Sequence, residues 1–132
     1  MSWRWIDRRL LILLHDESLA AHGGASGIRD EGMLDSALAR PVNLAACGEP
    51  DVSDLAAAYA FGLAKNHPFV DGNKRAAFLS VGLFLGLQGL RLTATQAEAT
   101  IMVFGLAGGD VQEAEFAQWI RTHHAPRPAR TG

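Results

Sequence analysis

His67-Pro68-Phe69-Val70-Asp71-Gly72-Asn73-Lys74-Arg75 runs without a break into Ala76–Leu90, about 15 residues that carry no charge. The first nine positions read as a tight loop and the rest as a helix, with Asn73 as the expected N-cap and Gln88 near the expected end. Ala77, Leu79, Val81, Leu83, Phe84, Leu85 and Leu87 fall on all sides of that helix. A helix apolar all round belongs in the middle of a bundle. It is too short to span a bilayer, which takes ~17–25 apolar residues, and Ser80, Gln88 and three glycines interrupt it. The expected fold is therefore all-α, a compact helical bundle around this buried helix.

Working outward, helical spacing recurs almost everywhere. Ile6, Leu10, Leu13 and Leu14 predict a first helix over about Trp5 to Ala21. The glycine-rich run from His22 to Gly32 interrupts it. Asp30 is placed to cap a short helix through Leu38, which Pro41 then stops. Asn43 to Pro50 reads as loop, and Asp51 or Ser53 opens an alanine-rich helix to about Asn66. After Gly89, Leu90–Thr93 reads as a short extended piece. Thr93 or Thr95 opens a further helix that ends at Gly108-Gly109, and Asp110 with Glu113 reads as a capping box for a last helix over Val111 to about His123. No repeat or boundary divides the chain, so one domain is expected over 1–124, with a disordered tail over 125–132.

A chain of 132 residues is long enough for one well-buried core. Its net charge of −2 gives no global basic field, so no direct nucleic-acid partner is expected. The single Cys47 rules out an intrachain disulfide and a multi-cysteine zinc site, which fits a reducing cytosol, and Cys47 is expected to be a packed or loop thiol. No signal peptide or membrane span is read.

The chemistry lies in the opening stretch. Lys74 and Arg75 fall in the first turn of the central helix, at its positive pole, where each exposed cation costs roughly 0.3–1 kcal/mol. Backbone N–H groups at a helix start already attract anions, and two added cations suit a polyphosphate. Phosphoryl transfer needs a positioned acceptor, a metal and donors around the phosphates. His67 is a candidate base because imidazole titrates near neutral pH. Asp71 offers a hard oxygen ligand for Mg²⁺. Gly72 allows close approach of backbone to phosphate, and Asn73, Lys74 and Arg75 offer donors. Pro68 and Phe69 read as structural. Each residue taken alone also fits an ordinary turn with a good cap; the cations at a positive pole are what that simpler reading leaves unexplained.

The nine-residue stretch resembles the Fic-domain motif, and more narrowly that of its death-on-curing (Doc) toxin branch. Upstream, Gly27-Ile28-Arg29-Asp30-Glu31-Gly32-Met33-Leu34-Asp35-Ser36-Ala37-Leu38-Ala39-Arg40-Pro41 resembles the segment preceding that branch's active helix, so the likeness covers nearly the whole chain. The resemblance implies a compact helical Fic fold, His67 as base, Asp71 as metal ligand, and Asn73, Lys74 and Arg75 as the phosphate grip. It also implies that the loop from Gly24 to Asp30 is a flap that aligns the acceptor. Nucleotide-transferring members of the wider family carry glycine where this chain has Lys74 and a second arginine where it has Phe78. Phe78 lies one turn after Arg75, and phenylalanine cannot replace that phosphate contact.

Doc-type toxins, similar in the lysine and in lacking the second arginine, are therefore the better guide. What they imply is ATP-dependent phosphorylation of a Ser/Thr hydroxyl on a translation elongation factor, in the cytoplasm, to inhibit growth. AMP transfer by the same site, and a non-catalytic binding protein that keeps the fold, are the alternatives. Gly72, where alanine can occur in the branch, is expected to leave backbone donation intact. The Ser/Thr-x-x-x-Glu segment of self-inhibited Fic proteins is not found, so inhibition is expected in trans from a cognate antitoxin.

Other candidates read as structural. His15-Asp16-Glu17 is expected on a solvated face, His123-His124 at a helix end with at most adventitious metal binding, and Trp3, Trp5 and Trp119 in packing or partner contact. Arg29 and Asp30 fit a capping pair or a flap role equally, and Arg127 and Arg130 are expected to be solvated.

Overall fold

A computed structural model describes residues 2–128. Among these, six α-helices and one small antiparallel sheet follow in the order α1 (Arg8–His22), α2 (Glu31–Cys47), α3 (Val52–Asn66), α4 (Asn73–Leu87), β1 (Leu90–Leu92), α5 (Gln96–Gly108), α6 (Glu113–Arg121) and β2 (His124–Pro126). The expected all-α architecture is thus corrected to a mostly helical one. Leu90–Leu92 is the short extended piece, and its partner comes from the chain's last described segment, with Arg91 opposite Ala125. Ala125 and Pro126, expected in a disordered tail, are therefore ordered by ladder pairing, and the Arg127 N–H donates to the Gly89 carbonyl at 3.0 Å. Residues 129–132 of that tail, with Arg130, lie outside the described residues.

Side-chain caps set most helix starts. Asp7, Asp30, Asp51 and Thr95 each accept a backbone N–H in the first turn of α1, α2, α3 and α5. At α6 the expected box of Asp110 and Glu113 shifts by two residues: Glu115 accepts from the Gln112 N–H instead. The second helix outruns its expected stop. Pro41 sits inside α2 and is buried, and the helix continues to Cys47, whose thiol is exposed. Proline removes the bond to the Ala37 carbonyl there. Burial of its ring and of Leu34 and Ala37 holds the helix onto α3 regardless.

The centre of the bundle is α3 rather than α4. Residues 55–60 of α3 are all buried, and the helix packs against α2, α4, α5 and α6. Small side chains allow this: a Cβ added at Gly62 would come 3.1 Å from Cα and Cβ of Ala37 in α2. The helix α4 lies beside it, burying Ala76, Ala77, Ser80, Val81, Phe84 and Leu85. Phe78, Leu79 and Leu83 are half-buried and line surface cavities. Phe84 gathers Trp5, Trp3 and Tyr59 at ring-centroid distances of 6.0, 6.3 and 5.2 Å. The Tyr59 hydroxyl accepts the Ile6 N–H at 3.1 Å, closing the N-terminal segment over α4. The two N-terminal tryptophans are packing residues.

Candidate active site

The motif loop joins the end of α3 to the start of α4, and three separate devices fix its course. His67 closes α3 in the left-handed region, with φ 48° and ψ 54°, where a non-glycine residue needs support. Arg29 gives it: Nε donates to the His67 carbonyl at 2.6 Å and Nη2 to the Asn66 carbonyl at 2.9 Å. A cation on the last carbonyls of a helix also suits its negative pole. Arg29 and Asp30 are thus both caps, one for the end of α3 and the other for the start of α2.

The flap is the second device. Ile28 pairs with Phe69 as an isolated antiparallel bridge, the Arg29 and Asp30 N–H groups donate to the Pro68 carbonyl, and the Val70 N–H donates to the Gly27 carbonyl at 3.0 Å. The glycine-rich segment is therefore laced to the motif rather than hanging free. Third, the Asn73 amide folds back on the loop. Its Oδ1 accepts from the Phe69 N–H at 2.9 Å and its Nδ2 donates to the Phe69 carbonyl at 3.0 Å. The expectation that Asn73 caps α4 and lends its side chain to an anion is corrected on both counts, because the side chain is occupied and the cap position belongs to Gly72.

That leaves the start of α4 open. Gly72 offers no side-chain cap, and among the described residues nothing accepts the N–H groups of Asn73, Lys74 and Arg75. The Asp71 carbonyl, which would accept from Arg75 if the helix began one residue earlier, instead contacts Nε2 of His15 at 2.9 Å. Lys74 and Arg75 pair with no carboxylate among the described residues. Lys74 is exposed, its Nζ 5.1 Å from the centre of the Phe104 ring. The Arg75 guanidinium donates from Nε to the Ser18 hydroxyl at 3.0 Å and from Nη2 to the His22 ring, with Phe78 beneath it at 5.7 Å. Since arginine only donates, the receiving His22 nitrogen carries a lone pair; Nδ1 lies 3.0 Å from the Ser18 carbonyl and is the protonated one.

Two cavities meet at Arg75. One, of about 340 Å³, carries the polar side chains of Asp71, Arg75, Ser18, His22 and Gln96 in its wall, with Gly72, Leu19 and Gly23. The other, of about 260 Å³, is largely apolar and is lined by Lys74, Arg75, Phe78, Thr100, Val103 and Phe104. The structure therefore brings Asp71, Gly72, Lys74 and Arg75 to one pair of adjoining hollows. His67 is exposed and lines neither of them.

The Asp71 carboxylate is exposed, with Oδ1 accepting from Gly72 N–H at 2.8 Å and Oδ2 from Ala25 N–H at 3.3 Å. Its remaining lone pairs are free for a hard cation. No cluster of three or more His, Cys, Asp or Glu forms among the described residues. A lone carboxylate completed by phosphate oxygens and water is the manner in which Mg²⁺ is usually held, so the donor set fits that ion.

Three participants escape sequence reasoning. His15, expected on a solvated face with Asp16 and Glu17, is 1% exposed, and only the two acids reach solvent. Burial pushes its imidazole below the ordinary value, against the opposing pull of the Asp71 carbonyl and the Asp16 and Asp71 carboxylates. The signal was present: Leu11, His15 and Leu19 follow at intervals of four, one buried stripe. Ser18 and His22 extend α1 over Arg75 and carry no motif of their own. Gly72 also matters more than backbone donation requires. It has φ 73°, and an added Cβ would come 2.8 Å from Cε1 of His15. His123 and His124 behave as helix-end residues, each placing Nδ1 on an α6 carbonyl, of Trp119 and Ile120.

A loop closed by a left-handed histidine, an uncapped helix start with two cations, and a helix apolar beyond it define a class. The chain belongs to the Fic/Doc family, whose model matches residues 5–85. Among curated relatives, it is 32% identical over 119 residues to the protein kinase Doc of Escherichia phage P1, covering 89% of this chain and 94% of that one. It is 43% identical over 76 residues to the toxin Doc of Mycolicibacterium smegmatis, covering 56% of this chain and 58% of the relative's length.

Proposed function

We propose that this protein is the toxin of a toxin–antitoxin pair and acts as a Doc-type kinase, transferring the γ-phosphate of ATP to a Ser/Thr hydroxyl of a protein target. The observation that carries the reading is the open start of α4: among the described residues, three backbone N–H groups have no acceptor and Lys74 and Arg75 no carboxylate, beside a hollow that holds Asp71. Such an arrangement suits a polyphosphate, which satisfies the donors and reverses the cost of like-sign charge at the pole. The names of the relatives, one a kinase and the other a toxin, support the same class.

The division of labour follows from placement. The N–H groups of Asn73, Lys74 and Arg75 and the two cationic side chains hold and stabilise the transferred group. An imidazole nitrogen of His67 takes the proton of the acceptor hydroxyl as its oxygen bonds to the γ-phosphorus, and the bond to the bridging oxygen breaks to leave ADP. Asp71 holds Mg²⁺, which supplies charge neutralisation at the phosphates when bound. Asn73 keeps Phe69 and the loop in register. Exposure of His67, outside both hollows, suits a base that meets its hydroxyl on a protein surface rather than inside a pocket. The flap, laced to Pro68 and Val70, offers the strand edge beside which an acceptor segment lies.

Phe78 favours phosphate over AMP transfer, since it lines the apolar hollow where nucleotide-transferring relatives have an arginine. By resemblance to the branch, the target is a translation elongation factor in the cytoplasm, and inhibition comes from a cognate antitoxin in trans. The test is incubation with γ-labelled ATP, Mg²⁺ and a cell lysate. Wild type is expected to label one protein band, with His67→Ala and Asp71→Ala each losing at least about 100-fold in rate. A nucleotide-sized adduct on the target, or equal growth arrest by wild type and His67→Ala, overturns the reading.

A further inference from the structure

His15 is the one imidazole enclosed by the fold, and the proposed chemistry does not use it. It comes from the middle of α1, is 1% exposed, and lies against Phe69 with ring centroids 4.1 Å apart. Its Nε2 is 2.9 Å from the Asp71 carbonyl oxygen. A carbonyl only accepts, so Nε2 carries the proton, and Nδ1, buried with no partner among the described residues, carries the lone pair. A satisfied core histidine would pair both nitrogens; this one leaves a buried acceptor unpaired, which costs free energy. Leucine in its place would extend the Leu11–Leu19 stripe and avoid that cost. What leucine cannot do is donate to the Asp71 carbonyl.

That carbonyl matters because of where it sits. It belongs to the peptide between Asp71 and Gly72, the last one before the open start of α4. Orienting this peptide sets two things together: the direction of the Asp71 carboxylate, and the direction of the N–H groups that follow Gly72. Gly72 supports the contact, since its φ of 73° and missing Cβ are what let the imidazole lie against this peptide. We propose that His15 is a positioning residue of the active site, whose Nε2–H bond to the Asp71 carbonyl holds the metal-binding carboxylate and the phosphate-binding N–H groups in working register. The proposal rests on the reading of Asp71 and α4 as a Mg²⁺–polyphosphate site. It adds a donor from α1 that lies outside the motif and lines neither hollow.

The test compares His15→Leu, which keeps bulk and removes the donor, with His15→Gln, whose side-chain N–H₂ reaches the position of Nε2. The first measurement is calorimetric affinity for a non-hydrolysable ATP analogue, with and without Mg²⁺. Wild type is expected to bind more tightly with Mg²⁺. His15→Leu is expected to lose about tenfold of that Mg²⁺-dependent gain, and His15→Gln to stay within about threefold of wild type. The ¹⁵N spectrum of the His15 ring in nucleotide-free protein should show a protonated Nε2 beside an unprotonated Nδ1. In phosphotransfer assays His15→Leu should lower kcat more than it raises the KM of the protein acceptor.

Equal losses in Leu and Gln variants would mean that the ring acts by packing alone, and an Nδ1-protonated ring would remove the donor; either overturns the proposal. An unchanged His15→Leu protein does the same. A wild type that binds the analogue with Mg²⁺ but transfers no phosphate refutes the kinase reading, and the affinities and ring spectrum still decide on His15. A wild type that shows no gain from Mg²⁺ removes the register that His15 is proposed to hold and overturns both.

Discussion

Asn73 shows how one motif residue can look catalytic and act as a strut. Its side chain closes a ring with Phe69, accepting from that residue's N–H and donating to its carbonyl. Those bonds fix the loop that carries Asp71 while leaving the Asn73 backbone N–H open. Asn73→Asp separates the two roles sharply. The carboxylate still accepts from the Phe69 N–H, but its other oxygen now faces the Phe69 carbonyl with no proton between them. A half-buried carboxylate opposite a carbonyl is expected to cost about 1–3 kcal/mol, read as a lower urea midpoint with an unchanged slope. Asn73→Ala, which removes both bonds without adding repulsion, should be hurt less. A variant Asn73→Asp as stable as wild type would show that the Phe69 ring of hydrogen bonds does not hold the loop.

Among the elements, α3 is the one whose two ends are tied most heavily, and its ties explain what the sequence makes legible. The Asp51 cap was readable because aspartate before a helical run has a local mechanism. Its second use was not: Arg121, 70 residues away, donates from Nε and Nη2 to the same carboxylate at 2.7 and 3.1 Å, and also reaches Asp54. Local patterns reveal caps; they do not reveal which distant guanidinium arrives. The Arg121 hydrogen bonds, with help from the Asp54 backbone, pull the Asp51 carboxyl down from 3.8 to about 2. A pKa lower in the folded chain means that the ionised carboxylate favours folding. That contribution is fully present above about pH 4 and is lost as pH falls toward 2. Because the pair is substantially exposed, its worth at neutral pH is only about 1 kcal/mol. Urea midpoints for wild type and Asp51→Asn should therefore differ near neutrality and converge only as pH falls through about 2. Parallel curves across that range would mean that Arg121 contributes nothing through Asp51.

At the scale of the molecule, the motif and the caps could be read in one dimension, whereas enclosure and pairing could not. The apolar stretch after Arg75 looked like the bundle's centre because every face carries hydrophobic residues. In three dimensions alanine-rich α3 takes that place, since small side chains admit neighbours on all sides, and α4 keeps Phe78, Leu79 and Leu83 for cavity walls. The pairing of β1 with β2 escaped the sequence because three-residue strands over 30 residues apart leave no periodic trace. It also sets apart two ends of one helix. The site occupies the start of α4, and the sheet follows its end, 15 residues and about 22 Å further along. Ending the chain at His123 removes β2 and the Arg127 bond to Gly89 and leaves the edge of β1 unpaired. The expected result is a fall of several degrees in the melting midpoint, for a loss on the order of 1–3 kcal/mol. Affinity for the Mg²⁺-loaded ATP analogue should stay within about twofold, because Asp71, Arg75, His15 and the open N–H groups all lie at the far end. If the truncated chain keeps its melting temperature, the two strands are not a clasp. If it loses affinity while remaining folded, the two ends of α4 communicate along the helix, and their separation does not protect the site.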